Sequence, residues 1–205
     1  MIRKNKIRQN NTGYESEEEV VQTASSSGVN KRRRILNEFA GYAMVLLAAF
    51  MLYFMVSRFV LINSYVPTDS MEPVIMGKSR FFGNRLAYLF EEPDRGDVVV
   101  INHKCYDGEK AELLVKRIVG LPGDRIEIRD GKLYINDEMY EEKYISEEMK
   151  EDFLPVEIPR GCYFLLGDNR NNSDDSRWWE YKFIPEDEIV AKAMFVYYPK
   201  FSSIK

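Results

Sequence analysis

Lys116 lies in a strongly apolar segment, LLVKRIVG, at residues 113–120. A free lysine has a pKa of about 10.4 and is protonated at neutral pH, so it is a poor base. Burial among apolar side chains lowers that pKa, because desolvation disfavours the ammonium form. The segment therefore indicates a candidate general base, and a lysine on a solvated edge strand is the alternative interpretation.

Ser70 is the candidate nucleophile, in the segment VPTDSMEP at residues 66–73. Pro67 and Pro73 exclude this segment from a central strand, since proline cannot donate a ladder hydrogen bond, and so place the serine in a loop. The backbone amide of Ser70 and the hydroxyl of Thr68 together offer hydrogen bonds to a developing oxyanion. Attack by a serine with a lysine as base is one chemistry open to this loop, and a linker serine without a role is the alternative.

The sequence contains fewer of the residues that other kinds of catalytic or metal site require. The sequence has one histidine, His103, and no G-x-S-x-G motif, which argues against a Ser-His-Asp triad and against most His-ligated zinc sites. The oxygen-rich stretch 168–179 lacks the glycine and the final glutamate of an EF-hand calcium loop. We therefore expect no metal and no other cofactor. Cys105 and Cys162 are compatible with one disulfide or with two free thiols.

Charge is distributed unevenly along the 205 residues, whose formal net charge is −4. Residues 1–37 hold eight Lys or Arg and four Glu, so the rest of the chain carries −8. A net-acidic main domain lacks the basic surface that binding to phosphate backbones requires. We therefore expect no nucleic acid among the partners.

Residues 39–56 read FAGYAMVLLAAFMLYFMV and carry no charged side chain. As a helix these 18 residues span roughly 27 Å, close to the ~30 Å hydrocarbon core of a bilayer. The run is long for a cleaved signal peptide and lacks the polar face of a core helix. Because the basic block KRRR precedes it, we predict a disordered cytoplasmic tail at 1–37, a transmembrane helix at 38–62 and an extracytoplasmic domain at 63–205.

Short strands dominate the pattern after the apolar segment. The run DVVVI at 97–101 is rich in β-branched residues, and RIEIR-DG-KLYI at 125–135 is typical of a hairpin. Further strand-like runs occur at 163–166 and 189–198. The fold class that we predict is mostly β, an antiparallel-sheet domain preceded by one N-terminal transmembrane helix.

Three separated blocks together resemble those of the bacterial type I signal peptidases. They are SMEP at residues 70–73, KRIVGLPGD at 116–124 and GDNRNNSDDSR at 167–177. The segment RGDVV at 95–99 matches a further box of that family. The second and third blocks are long and specific, and the resemblance extends over roughly residues 37–200.

The resemblance implies a Ser–Lys dyad. Ser70 is similar to the family's nucleophile, and Lys116 is similar to its general base, which works unprotonated. Thr68 occupies the position at which a hydroxyl supplements the oxyanion hole formed with the Ser70 amide. Ser173 resembles the residue that hydrogen-bonds to the lysine and orients it.

Further positions of the third block are implied to support the loop. Asp175 and Arg177 look like the family's ionic pair, and Asp168 is expected to pair with Arg117. One departure is Val74, where the family commonly has a threonine after the proline, so a loop hydrogen bond of the family is absent at that position. The catalytic positions are unaffected by this change.

The implied activity is that of a membrane-anchored serine endopeptidase that removes N-terminal signal peptides from exported preproteins. Its partners would be the lipid bilayer and signal peptides with small residues at the −3 and −1 positions. The substrate would bind as an extended strand against two chain segments. The residues expected to bind it are Ser64, Tyr65, Val66, Leu114 and Val115.

Two other functions are compatible with parts of this pattern. A self-cleaving repressor uses the same dyad on a related fold, but a helix-turn-helix pattern is missing from residues 1–37. A non-catalytic anchored β module would bind extended peptides or assist surface-fibre assembly. A degenerate relative of that kind is expected to lack Ser70 or Lys116, and both are present.

Overall fold

The computed structural model describes residues 15–204, and their side chains from residue 32 onward. The chain divides into two compact units, Met1–Phe54 and Met55–Lys205. Helix α1 spans Glu15–Met55, and all but its last residue belong to the first unit. The stretch Arg32–Val60 contains an 18-residue window whose mean hydropathy is 2.1, and none of that window is buried. It is long enough to cross a bilayer, and is compatible with a membrane anchor.

The helix differs from the predicted transmembrane segment at both ends. It begins at Glu15, so residues 15–37, predicted to be disordered, are helical. Extending an existing helix costs far less than nucleating one, and our prediction for this stretch considered only its small apolar surface. After α1 a π-helical turn spans Val56–Val60, and a strand begins at Leu61, inside the predicted 38–62 helix. The predicted disorder of residues 1–14 lies outside the described residues.

The second unit is built from twelve short strands. In chain order they are β1 (Leu61–Tyr65), β2 (Arg80–Asn84), β3 (Val98–His103), β4 (Glu112–Gly120), β5 (Arg125–Arg129), β6 (Lys132–Ile135), β7 (Glu138–Met139), β8 (Phe153–Glu157), β9 (Cys162–Leu166), β10 (Ile184–Pro185), β11 (Ile189–Tyr198) and β12 (Ser202–Ser203). A 3-10 turn at Glu186–Glu188 precedes β11.

Within residues 15–204 all strand pairs are antiparallel, and they form two sheets. The larger sheet has the order β1-β2-β11-β3-β4-β9-β10, with β12 paired to β11. The smaller sheet has the order β7-β6-β5-β8. The hairpin predicted around the DG dipeptide is the β5–β6 pair, in which Arg129 lies opposite Lys132. The predicted class, mostly antiparallel β after one N-terminal apolar helix, is confirmed.

Among the strands of the larger sheet with an unpaired edge are β4, along part of its length, and β1. β4 pairs with β3 from Arg117 to Glu112, but with β9 only from Arg117 onward. Residues 112–116 of β4 therefore have no described strand on that side. β1 pairs with β2 alone and ends the sheet. Such edges expose backbone donors and acceptors that an extended peptide can use.

Buried apolar clusters fix the loops that carry the candidate site. One cluster packs Met71 and Ile75, from the β1–β2 loop, against Phe81 and other side chains of the larger sheet. A second cluster contains Trp179, with Leu114 of β4 packed against it. The β1–β2 loop and the connection between β9 and β10 are thus held in place by burial of their own apolar residues.

Candidate active site

Ser70 lies in the β1–β2 loop and is 9% exposed. The neck of the loop is closed by a backbone hydrogen bond from Val66 N to Ser79 O of 3.0 Å. Immediately after the serine, Ile75 N donates to Met71 O at 2.8 Å, and both side chains are fully buried. The anchored turn holds the Ser70 side chain in a fixed place at the edge of the core.

Lys116 lies on β4 and is only 4% exposed. Its Nζ donates a hydrogen bond of 3.0 Å to Ser173 Oγ. Burial lowers the pKa of the Lys116 amine from its ordinary value, although the carboxylates of Asp175 and Asp174 oppose this effect. An amine with a lowered pKa is available as a base closer to neutral pH.

Ser70, Lys116 and Thr68 line one cavity of 680 Å³. Thr68 Oγ1 donates a hydrogen bond of 3.2 Å to Ser70 Oγ. Among the described residues, the Lys116 amine is hydrogen-bonded to Ser173 and the Ser70 hydroxyl is hydrogen-bonded to Thr68. The amine and the Ser70 hydroxyl are not hydrogen-bonded to each other. In enzymes without substrate such catalytic contacts are often long and tighten in the complex. The arrangement places a candidate nucleophile, a candidate base and a second hydroxyl in one cavity.

The rest of the cavity wall comes from three chain segments. Its other lining residues are Asp69, Cys105, Tyr106, Glu109, Lys110, Glu112, Leu114, Asn172, Asp174 and Trp179. Leu114 is thereby the member of the predicted substrate-binding set that lines this cavity. Four carboxylates against Lys110 and Lys116 make the wall acidic.

Of the other predicted substrate-binding residues, Ser64, Tyr65 and Val115 lie on the two open edges. Ser64 and Tyr65 are the last residues of the edge strand β1, opposite Phe81 and Arg80. Tyr65 is exposed, whereas Val66, which follows the strand, is buried. Val115 lies next to Lys116, in the part of β4 that pairs with β3 but not with β9, and is half-buried. In the chain, residues 64–66 come shortly before Thr68, and residues 114–115 come directly before Lys116.

The segment 167–177, which carries Ser173, forms ion pairs through Asp168 and Asp175. Arg117 donates to Asp168 with Nε at 2.8 Å and Nη2 at 2.7 Å, and both side chains are buried. Arg177 donates to Asp175 with Nε at 2.8 Å and Nη2 at 2.9 Å. Bidentate pairs fix the angle as well as the distance between two groups. Both pairs therefore stiffen the segment that orients Lys116.

Gly167 and Asn169 connect this segment to the nucleophile loop, a role that the sequence did not predict for either residue. Asn169 N donates to Ser70 O at 3.1 Å, and its Nδ2 donates to Asp69 O at 3.1 Å. A Cβ on Gly167 would lie 2.5 Å from Ser70 O and 2.2 Å from Ser173 Oγ. Only a glycine allows this approach. The contacts join residues about 100 positions apart, and no local pattern predicts them.

Arg170 of the same segment belongs to a second group of residues that the sequence did not reveal. Arg170 is buried and forms an ion pair with Glu142, whose Oε1 also accepts a hydrogen bond of 2.7 Å from Tyr144 Oη. The Tyr144 ring lies 4.0 Å from the guanidinium of Arg117. Glu142 belongs to a run rich in acidic residues, which is typical of a solvated surface, so its burial had no signal in the sequence.

His103 and the two cysteines have local roles in the structure. His103 Nδ1 lies 2.5 Å from Glu188 Oε2, and Nε2 lies 2.6 Å from Tyr181 O. Cys105 and Cys162 are free thiols. The described residues contain no group of three or more side chains that could hold a metal ion.

Comparisons with known proteins agree on one family. The family model described as "Signal peptidase, peptidase S26" matches residues 39–198. The "Signal peptidase I S" of Bacillus subtilis (strain 168) is 35% identical over 185 residues, which are 85% of this chain and 95% of that protein. The "Probable signal peptidase I-2" of Synechocystis is 36% identical over 148 residues, 70% of this chain and 66% of that protein.

Solved structures also match, and one of them is a signal peptidase I. It is the crystal structure of a signal peptidase I from Enterococcus faecalis V583, with 30% sequence identity and a TM-score of 0.43. The match covers 50% of this chain and 97% of that chain.

Proposed function

Because the chain belongs to the signal peptidase family, peptidase S26, and is a serine endopeptidase acting on signal peptides of exported preproteins, we propose that Ser70 and Lys116 form its catalytic dyad. The observation that carries this assignment is their shared cavity, with a buried lysine whose pKa burial lowers. Both lie in the sequence blocks that match the family.

The proposed reaction begins with the neutral amine of Lys116. It accepts the proton of Ser70 as Oγ attacks the carbonyl carbon of the scissile peptide bond. The oxyanion that forms accepts hydrogen bonds from the Ser70 amide and from the Thr68 hydroxyl. The protonated Lys116 then gives its proton to the leaving amine, and the mature protein departs.

A water molecule completes the cycle. Lys116, neutral again, takes a proton from the water that attacks the acyl ester on Ser70 Oγ, and the proton returns to the serine as the signal peptide leaves. Ser173 serves the base throughout, because its hydroxyl holds Nζ in one orientation. The ion pairs of Asp168 and Asp175 contribute to this reaction by fixing the segment that carries Ser173.

The substrate is proposed to bind as an extended strand between the two open edges. The backbone of β1 at Ser64 and Tyr65 and that of β4 at Leu114 and Val115 offers ladder hydrogen bonds. Side chains at −3 and −1 point to the same side of such a strand, since their spacing is two. We expect small residues at both positions, with Leu114 in the apolar part of the wall.

The apolar helix also supports a proposal for the side of the membrane on which the active site lies. The apolar part of α1 would span the bilayer, with residues 1–37 in the cytoplasm and residues 63–205 outside, because the basic block at 31–34 favours the cytoplasmic side. Signal peptidase substrates are exported preproteins. An extracytoplasmic site would meet their cleavage sites after translocation.

The dyad is tested by cleavage of a purified preprotein by the full-length chain in detergent. Ser70→Ala and Lys116→Ala should each lower the cleavage rate by a factor of about 10³ or more, because each removes a reacting group. The controls are Ser202→Ala and Lys132→Ala, which change exposed residues of β12 and β6. Cleavage by either dyad variant at the wild-type rate, with circular dichroism showing an intact fold, would contradict the assignment.

A further inference from the structure

Tyr106 and Asp174 join two walls of the catalytic cavity. Both residues line it, Tyr106 from the β3–β4 connection and Asp174 from the segment 167–177. Tyr106 Oη donates a hydrogen bond of 2.9 Å to Asp174 Oδ1. Asp174 directly follows Ser173, which accepts the hydrogen bond of Lys116 Nζ. This bond therefore lies beside the contact that orients the proposed base.

Backbone contacts hold Tyr106 in place independently of its side chain. The preceding residue, Cys105, accepts hydrogen bonds at its carbonyl from Glu180 N at 3.1 Å and from Tyr181 N at 3.2 Å. The connection that carries Tyr106 is thus fastened to the chain just beyond segment 167–177. The phenol is a fixed donor, and the exposed Asp174 side chain is the partner with freedom to turn.

The charge of Asp174 acts on the Lys116 amine. Burial lowers the pKa of Lys116, while the carboxylates of Asp175 and Asp174 raise it and Arg177 lowers it. Asp175 is paired with the guanidinium of Arg177 at 2.8 Å, and this positive charge offsets part of the effect of Asp175 on the pKa of Lys116. Asp174 is bonded to a neutral phenol, so its negative charge remains. The position of that carboxylate therefore affects how easily the amine loses its proton.

Several other titratable groups face the same cavity. They are Asp69, Cys105, Glu109, Lys110 and Glu112. None of these follows Ser173 directly, as Asp174 does. The phenol of Tyr106 keeps its proton under ordinary conditions, because burial and the bond to Asp174 raise its pKa to about 12. The donor is thus present over the whole range in which the enzyme is assayed.

We propose that Tyr106 is a positioning residue for the catalytic base, because it holds the Asp174 carboxylate at the cavity wall and limits how strongly this charge stabilises the protonated, inactive form of Lys116. The inference rests on the Ser70–Lys116 dyad proposed above. Without the phenol, the carboxylate turns toward the cationic amine, and the base then needs a higher pH to lose its proton.

The test is the pH dependence of kcat/KM for preprotein cleavage, whose acid limb reports the base in the free enzyme. Tyr106→Phe should move this limb to higher pH by about 0.5–1 unit, the size expected for one partly screened charge. Asp174→Asn should move it to lower pH, because the negative charge is gone. The double variant should behave like Asp174→Asn alone, since the phenol acts only through the carboxylate.

Two results would overturn the inference. One is a Tyr106→Phe profile whose acid limb coincides with that of the wild type, even where KM changes. The other is a double variant whose limb lies at the sum of the two single shifts, which would mean that the residues act independently. A change in KM alone would indicate that Tyr106 contacts the substrate and does not position the base.

A matched control removes the same kind of bond elsewhere. Tyr88 Oη donates a hydrogen bond of 2.9 Å to Asp97 Oδ2, outside the catalytic cavity, so Tyr88→Phe should leave the acid limb unchanged. Ser70→Ala separates the two proposals. If Ser70→Ala cleaves the preprotein as well as the wild type does, the proposed dyad is wrong. If Ser70→Ala is inactive while Tyr106→Phe keeps the acid limb of the wild type, only the present inference is wrong.

Discussion

Lys116 is a group that the fold accommodates at a cost in stability. Its side chain is buried, and its amine donates a hydrogen bond to the neutral hydroxyl of Ser173. Transferring an amine from water into such a site favours the neutral form, and each unit by which the pKa falls corresponds to about 1.36 kcal/mol. The same burial that makes the lysine a usable base therefore destabilises the folded chain.

Lys116→Met should raise the melting temperature while abolishing cleavage. Methionine keeps most of the side-chain volume and needs no proton acceptor, so we expect a gain of about 1 kcal/mol or more at neutral pH. Below the unfolded-state pKa of about 10.4 the unfolded chain binds a proton that the folded chain holds less firmly. The gain should therefore shrink as the pH is raised toward about 10.

Calorimetry between about pH 7 and pH 10 provides the measurement. Lys132→Met, which replaces an exposed lysine of β6, is the matched control and should change the melting temperature little at any pH. A Lys116→Met variant that melts below the wild type throughout this range would show that the amine is stabilising, and so contradict the argument.

At the scale of elements, the segment 167–177 serves two partners at once. It contacts the proposed base through the hydrogen bond between Lys116 and Ser173. It also contacts the loop that carries Ser70, through Asn169 and the close approach of Gly167 to Ser70 O. The buried pair of Arg117 and Asp168 fixes it to β4. One rigid segment thereby sets the spacing between the serine and the lysine.

Gly167→Ala should impair catalysis more than stability. The added methyl would lie 2.5 Å from Ser70 O and 2.2 Å from Ser173 Oγ, so at least one of these must move. Displacements of that size at reacting groups lower rates about 10²-fold, whereas overpacking costs the fold about 1–3 kcal/mol. The measurements are kcat on a preprotein and the melting temperature.

Gly161→Ala is the corresponding control. Gly161 has φ of +71°, and a methyl group added there would meet no other atom within 4 Å, so alanine is strained at this position but does not collide. The substitution should lower stability by about 1–2 kcal/mol and leave kcat unchanged. If Gly167→Ala lowers kcat no more than Gly161→Ala does, the close approach at Gly167 has no part in positioning the dyad.

At the scale of the whole molecule, the sequence predicted what depends on local pattern. The apolar helix, the antiparallel β class and the β5–β6 hairpin follow from composition and periodicity. Other contacts join segments that are distant in the chain, and no local pattern encodes them. They include the hydrogen bond from Asn169 to Ser70 and the buried ion pair of Glu142 with Arg170. The helical state of residues 15–37 was missed because helix extension needs little apolar burial.

The orientation of the chain in the membrane is the last prediction. Full-length chains with Cys105 and Cys162 replaced by serine would carry one new cysteine, from Asn10→Cys or from Ser202→Cys. A membrane-impermeant thiol reagent should label position 202 and leave position 10 unlabelled in intact cells without an outer membrane, because the basic block at 31–34 keeps the amino end inside. Both positions should react after detergent treatment.

The basic block itself supplies the control. Replacing KRRR at 31–34 with four alanines removes four positive charges next to the apolar segment, so the fraction of chains labelled at position 10 in intact cells should rise. Equal labelling of position 10 with and without the block would show that these charges do not set the orientation. Labelling of position 10 but not of 202 in the unaltered chain would place the catalytic unit inside the cell and contradict the proposed location.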